Sequence, residues 1–377
     1  MKVREIVRAM EAVAPLQLAQ DWDNVGLLLG DGDAELKKLL LCVDLTEPVL
    51  AEARRLRAKM VMAYHPVIFK PVSRVTSADA PVVYRAVRDN LAVYSTHTAL
   101  DAAPGGTNDV LAEAMGLTNT RPLEPIIRRQ RCKVVVFTPP DGLSRVAEAA
   151  FSAGAGLIGN YYDCAFFSHG IGLFCGGQDS RPSIGHPGRH EAAEEIRLEV
   201  IAPKARVAAV CSAMRSAHSY ETPSIDVYPL QDVPSGCGMG RIGKLTRPVT
   251  VRTLIGRLKK AAGVQKVLLA AGTAPAGRTS RRGDGQGALV STAACCAGSC
   301  GSMFRTAAEA GATFYLTGEM RHHDALAAAA QGMTVVCMGH SHSERLALAR
   351  LAKRLRKMLP KLQVVLSKAD ADPFRIV

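Results

Sequence analysis

Apolar and polar positions along the chain follow two periods. Ile6 to Leu16 has helical spacing and gives way to the polar stretch Gln20-Asp21-Trp22-Asp23-Asn24. Lys38-Leu39-Leu40-Leu41-Cys42-Val43-Asp44 is a short apolar run ending in an acid, the pattern of a parallel strand buried on both faces. Thr46 then stands as an N-cap for a helix over Pro48 to Ala58. The motif repeats: the apolar run Met60-Val61-Met62-Ala63-Tyr64-His65-Pro66 is followed by a helix over Pro81 to Asn90. The run Leu91 to His97 is followed by a helix that opens at Thr107-Asn108 and extends through Met115. Strands alternating with helices predict parallel α/β units.

Near Arg128 the pattern changes. A β-branched strand over Cys132 to Thr138 precedes a helix over Leu143 to Ala153. Then come the glycine-rich hairpin GAGLIGNYYDCAFFSHGIGLF, a strand Ile196 to Ile201, a helix Pro203 to Ala217 and a strand Ser224 to Pro229. That β-α-β-β-α-β order predicts a ferredoxin-like α+β module over residues 128–235, inserted between two α/β halves at 1–127 and 236–377. In the second half Val267 to Ala271, Gly287 to Ala293, Thr313 to Gly318 and Met333 to Cys337 read as strands. The fold class is therefore α/β, with two halves forming one domain that is discontinuous in sequence.

At 377 residues the chain is long enough for two or three domains with full cores, given about 150 residues per domain. No apolar run reaches the roughly 18 residues that a membrane helix requires. Glu5 and Glu11 interrupt any signal-peptide core, so a soluble, cytoplasmic protein without membrane attachment is expected. The ten cysteines are then reduced thiols; only Cys295, Cys296 and Cys300 cluster, without a CxxC pair, and they read as small buried hydrophobes. Lysine plus arginine exceeds the acids by 47 − 34 = 13, a charge that draws small anionic ligands. Arg278, Arg281 and Arg282 lie in a glycine-rich stretch, and Arg350, Lys353, Arg354, Arg356, Lys357 and Lys361 crowd the last helix. With one tryptophan and 5% aromatics for base stacking, these charges read as solvated faces rather than as a nucleic-acid surface.

In open parallel sheets ligands collect beyond the carboxyl ends of strands, which makes His65, His97, Asp101 and His340 one set. Glu344 stands four residues after His340, on the same face of any helix that begins there, whereas His342 points elsewhere. Imidazoles with carboxylates suit zinc, iron or manganese. Glu319, His322 and His323 are placed to support such a centre. Two loops, Gly105 to Asn108 and Ala297 to Ser302, have the composition of anion cradles, although a turn with a helix cap is the simpler reading of the first.

Taken in order, DWDNVGLLLGD (21–31), DLT (44–46), YHPVIF (64–69), STHTALDAAPGGTND (95–109), TGEMRHHDAL (317–326) and GHSHSE (339–344) resemble the signatures of the Nif-three-like family, whose members carry the label GTP cyclohydrolase I type 2 homologue. The inserted segment, with HSYE (218–221) and GMGRIGKL (238–245), resembles the CutA-like module of its longer members. The resemblance implies intertwined α/β halves, a dinuclear centre of two divalent ions per chain, and a toroidal homohexamer whose centres face an internal cavity. Carried over residue by residue, it implies metal ligands at His65, Asp101, His340 and Glu344, with His97 as an accessory residue; a catalytic part falls to His97 and Glu344. One position departs from the family: Tyr64 stands where two consecutive histidines are usual, and a phenol titrating near 10 is the poorer ligand at neutral pH. The expected function is a metal-dependent hydrolase of nucleotide-like or phosphorylated substrates. The alternative is a hexamer that handles or senses metal without catalysis.

Overall fold

The computed structural model describes residues 1–126, 131–230, 236–272 and 285–374. They fall into two compact units, Met1–Ile126 with Gly236–Val377, and Ile127–Ser235. In chain order the first unit begins with α1 (Val3–Val13), β1 (Gly26–Leu29), β2 (Lys38–Cys42), α2 (Glu47–Arg55), β3 (Met60–Ala63), α3 (Pro81–Arg88), β4 (Ala92–Ser95), α4 (His97–Ala102), α5 (Thr107–Met115) and β5 (Leu117–Pro125). The second unit comprises β6 (Arg131–Thr138), α6 (Leu143–Ser152), β7 (Ala165–Cys175), β8 (His190–Pro203), α7 (Val207–Ala217) and β9 (Ile225–Leu230). The first then resumes with β10 (Gly238–Thr250), α8 (Val251–Ala262), β11 (Leu268–Ala270), β12 (Leu289–Cys296), α9 (Phe304–Glu309), β13 (Phe314–Thr317), α10 (His322–Ala330), β14 (Thr334–Cys337), α11 (His340–Met358) and β15 (Gln363–Leu366).

The first unit is α/β and holds two sheets, ordered β1-β4-β3-β2-β15 and β11-β14-β13-β12-β10-β5. In the first, β15, β2, β3 and β4 run parallel and β1 is antiparallel at the edge. In the second, β12, β13 and β14 are parallel. The apolar runs are continuous because successive side chains enter different cores. Leu39, Leu41, Met60 and Met62 join α1 and α11 in a central cluster, whereas Leu40, Cys42, Val61 and Ala63 pack with Val49 and Ala53 of α2 and Ala86 of α3. The second sheet divides likewise: Ala294, Cys296, Tyr315 and Val335 face the same central cluster, and Ala293, Cys295, Phe314 and Val336 face α5 and α8. Cys295 and Cys296 are thus buried on opposite faces, as small hydrophobes.

The sequence pattern did not reveal β5 and β10, a long antiparallel pair on the second sheet. β10 carries Arg241, only 2% exposed, whose guanidinium grips Asp109 at 2.7 and 2.8 Å and donates to the carbonyls of Gly238 and Gly240. A buried charge inside a glycine-rich segment has no strand signature of its own; only its partner makes the placement favourable.

The second unit is a four-stranded antiparallel sheet, β7-β8-β6-β9, in the chain order β-α-β-β-α-β. Val134, Val136, Leu198 and Val200 pack with Val146 and Ala150 of α6 and Val210 and Met214 of α7. The stretch expected to be a hairpin contributes one long strand, β7, whose partner is β8 along its whole length. Arg278, Arg281 and Arg282 lie outside the described residues. Among the described residues no helix is long and apolar enough to cross a membrane.

Candidate metal centre

The candidate residues follow the carboxyl ends of β3, β4 and β14, each of which lies in a parallel ladder. The backbone ladder continues past β3: the amides of Tyr64 and His65 donate to Cys42 and Val43 at 2.9 and 3.0 Å, so both side chains are set by the sheet. The His97 amide donates to the Tyr64 carbonyl at 2.9 Å. His97 was expected to end its strand; instead it opens α4, at φ +22°, a conformation rare outside glycine and typical of functional positions. His340 is the first residue of α11, after Gly339 at φ +94°, and Glu344 follows one turn later on the same face.

His65, His340 and Glu344 offer ligand atoms that all lie within 4.8 Å of one another. His65 Nε2 is 3.3 Å from Glu344 Oε1, and His340 Nε2 is 3.1 Å from the same oxygen. The opposite ring nitrogens are engaged. His65 Nδ1 donates to Asp44 at 2.9 Å and His340 Nδ1 to Glu319 at 2.8 Å, an arrangement that turns each Nε2 toward the common point. Glu344 is 2% exposed, and its Oε2 is buried without a hydrogen bond. Backbone fit completes the set. A Cβ on Gly298, which has φ +68°, would stand 2.8 Å from Glu344 Oε1 and 3.6 Å from His340 Nε2. Two carboxylate-backed imidazoles, a buried acid with one oxygen free of hydrogen bonds and a glycine that leaves room for them fit a divalent cation.

The carboxylates around the two imidazoles favour their charged forms. Burial opposes charge on His65, but its hydrogen bonds to Asp44 and Glu344 outweigh that and carry its pKa to about 10. Glu344, ahead of the opposing burial, raises His340 to about 9. Burial pushes Glu344 upward, yet the two histidines hold it below the usual carboxylate range.

Asp101 lies beside this group and is not part of it. It is buried, accepts a hydrogen bond from the Tyr64 hydroxyl, and burial lifts its pKa to about 6. His97 does not offer a ligand atom to the group either; its ring centroid is 5.3 Å from that of His65, and its Nδ1 is held at 2.8 Å by Asp23. Asp23, whose other oxygen accepts from the Thr98 amide at 3.1 Å, was visible in the sequence only as part of DWDN. Asp44 was legible as an acid closing an apolar run, but not as a histidine's partner. His342 turns away to Asp372 at 3.0 Å, and His322 and His323 are exposed, leaving Glu319 as the supporting group from its segment. The Gly105–Asn108 loop is a turn with a helix start: the Gly105 amide donates to Asp109 and Thr107 is buried against Tyr64.

Trp22 and Phe69 stand at the open side, 59% and 49% exposed, with ring centroids 5.9 Å apart and 5.8 and 6.4 Å from His97. A cavity of about 570 Å³ lies elsewhere, within the second unit around Phe137, Glu195 and Tyr220, and contains none of these residues.

The chain matches the family model Duf34/NIF3 (NGG1p interacting factor 3) over residues 1–373. It is 32% identical over 378 residues to a protein of Halalkalibacterium halodurans named GTP cyclohydrolase 1 type 2 homolog, covering 99% of this chain and 98% of that one. It is also 32% identical to the rat NIF3-like protein 1, covering 100% and 93%. A crystal structure of a Bacillus cereus protein related to NIF3 superposes with a TM-score of 0.70 at 32% identity, over 100% of this chain and 99% of that one. With a full-length family match, relatives at this identity and the same α/β fold, the chain belongs to the DUF34/NIF3 family.

Proposed function

We propose that this protein is a divalent-metal-dependent hydrolase acting on a nucleotide-like or phosphorylated substrate. The observation that carries the reading is the His65–His340–Glu344 cluster, with each imidazole backed by its own carboxylate. Three protein ligands leave a coordination position open, the pattern of catalytic rather than structural sites. A bound ion would supply Lewis acidity and lower the pKa of a water molecule. The protein's own part is to aim two Nε2 atoms and the Glu344 carboxylate at one point. His97, fixed by Asp23, stands next to that point as a group able to orient a water or take up charge. Trp22 and Phe69 offer exposed ring faces against which a planar base can stack, and the net charge of +13 favours anionic substrates. The name GTP cyclohydrolase 1 type 2 homolog, borne by relatives, agrees with a purine nucleotide as one candidate. A cytoplasmic toroidal hexamer belongs to the same proposal, on the family resemblance.

The test is turnover. Metal-loaded protein incubated with GTP and a panel of nucleotides and phosphoesters should yield product, lost in His340→Ala and obtained at raised KM in Trp22→Ala. Retained metal with no product from any compound would sink the hydrolase and leave metal handling as the role.

A further inference from the structure

The cluster has a neighbour built to a different plan. Tyr64 is wholly buried; its hydroxyl donates to Asp101 Oδ1 and lies 3.1 Å from Thr107 Oγ1. Asp101 is held in place from behind. The buried Asn108 donates from Nδ2 to the Asp101 carbonyl at 3.0 Å and accepts the Ala297 amide on its Oδ1 at 2.9 Å, so one amide ties Asp101 to the loop that carries Gly298. Thr107 is completely buried as well. Tyr64 and Asp101 are both buried, and a turn of either side chain toward another partner would break the hydrogen bond between them.

The chemistry of the two sets differs accordingly. At the first, two imidazole nitrogens and two carboxylate oxygens converge. At the second, a carboxylate faces a phenol, whose hydroxyl meets Asp101 Oδ1 and Thr107 Oγ1 where the first set presents an imidazole nitrogen. The phenol's O–H also occupies the Asp101 oxygen on which a second ion would draw. A second cation would thus gain one partly engaged carboxylate, whatever Glu344 can share and, at most, the second nitrogen of His97, a poorer donor set than the paired imidazoles and acid of the first.

We propose that this chain holds a single divalent ion, on His65, His340 and Glu344, and that Tyr64 closes the second position by engaging Asp101, which remains a hydrogen-bonding group rather than a ligand. The proposal rests on the metal-centre reading above. It narrows the chemistry to what one ion with open coordination positions supports, and excludes a two-ion clamp across a phosphoryl group.

The experiment counts ions. Full-length protein is stripped with chelator, titrated with Mn²⁺ or Zn²⁺ alone, and assayed by calorimetry and elemental analysis, with electron paramagnetic resonance of the Mn²⁺ form. One tight ion per chain is expected, with the hyperfine pattern of isolated Mn²⁺, abolished in His65→Ala and retained in Asp101→Asn and Tyr64→Phe. Tyr64→His, if it folds, is expected to take up a second ion and give an exchange-coupled spectrum. Two tight ions in the unaltered chain, or one ion lost in Asp101→Asn while kept in His65→Ala, overturns the proposal and leaves a metal centre standing. No tight ion at all overturns both readings. Should Tyr64→His not fold, the count in the unaltered chain and the His65→Ala and Asp101→Asn pair still decide.

Discussion

Gly298 offers the sharpest probe of how tightly the site is built. Its φ of +68° is one that an L residue adopts at a cost of about 1–2 kcal/mol. Gly298→Ala also places a methyl group 2.8 Å from Glu344 Oε1, closer than real Cβ contacts come, so something must shift. The carboxylate is not a free chain end: Glu344 is buried and bracketed by His65 and His340. It has to move by a few tenths of an ångström, whereas metal–ligand distances hold to about ±0.2 Å. Displacing a ligand's support typically costs about 10–100-fold in affinity. Gly263, at the end of α8, separates the two effects, since it has the same φ of +68° and nothing within 4 Å of its ideal Cβ. Gly263→Ala should therefore lose about 1–2 kcal/mol in urea denaturation and bind metal normally. Gly298→Ala should lose at least as much in the stripped protein and, in addition, bind Zn²⁺ about 10–100-fold more weakly in competition with a chromophoric chelator. Equal metal affinities in the two variants would refute the claim that Gly298 shapes the centre.

Three further outcomes follow from the geometry. With His65 near 10 and His340 near 9 in the cation-free chain, both above the ordinary 6.5, the stability these protons contribute is complete below pH 6.5 and is lost as pH rises through 9 and 10. Metal uptake must displace them, so apparent affinity should climb by up to about tenfold per unit of pH for each proton released, read by calorimetry in buffers of differing ionisation enthalpy; a flat profile from pH 6 to 9 contradicts the assignment. Arg241→Met removes the buried partner of Asp109, which is itself part-buried at 18% exposure and keeps the Gly105 amide, and should cost about 1.5–3 kcal/mol in urea unfolding. Asp23→Asn removes the carboxylate that orients His97 and should lower kcat without changing the number of ions bound, whereas loss of the ion would make Asp23 part of the metal site itself.

Much of the frame was legible because it is written in local alternation. Lys38–Cys42, Met60–Ala63 and Ala92–Ser95 read as doubly buried strands since helices cover both faces of their sheet. The β5–β10 pair escaped notice because Arg241 and its surrounding glycines become strand-like only when Asp109 and the facing strand supply the compensation. His97 likewise shifts from strand end to helix start, with φ +22° and its ring bonded to Asp23, a partner 74 residues away that no window around residue 97 contains.

For the site, sequence alone was enough to single out His65, His97, Asp101, His340 and Glu344 as a set, because three histidines follow apolar strand runs, where ligands collect in parallel sheets, and two acids stand four residues after two of them. It also singled out Tyr64 as a departure. What it was unable to decide was which of these share a point in space. Glu344 meets His65 across 279 residues of chain, Asp44 and Glu319 bond the far nitrogens of the two imidazoles, and the Tyr64 hydroxyl bonds Asp101. Residue type and spacing determine which atoms are able to bind a cation; whether a lone pair is free or already taken by a neighbour's proton depends on contacts that exist only once the chain has folded.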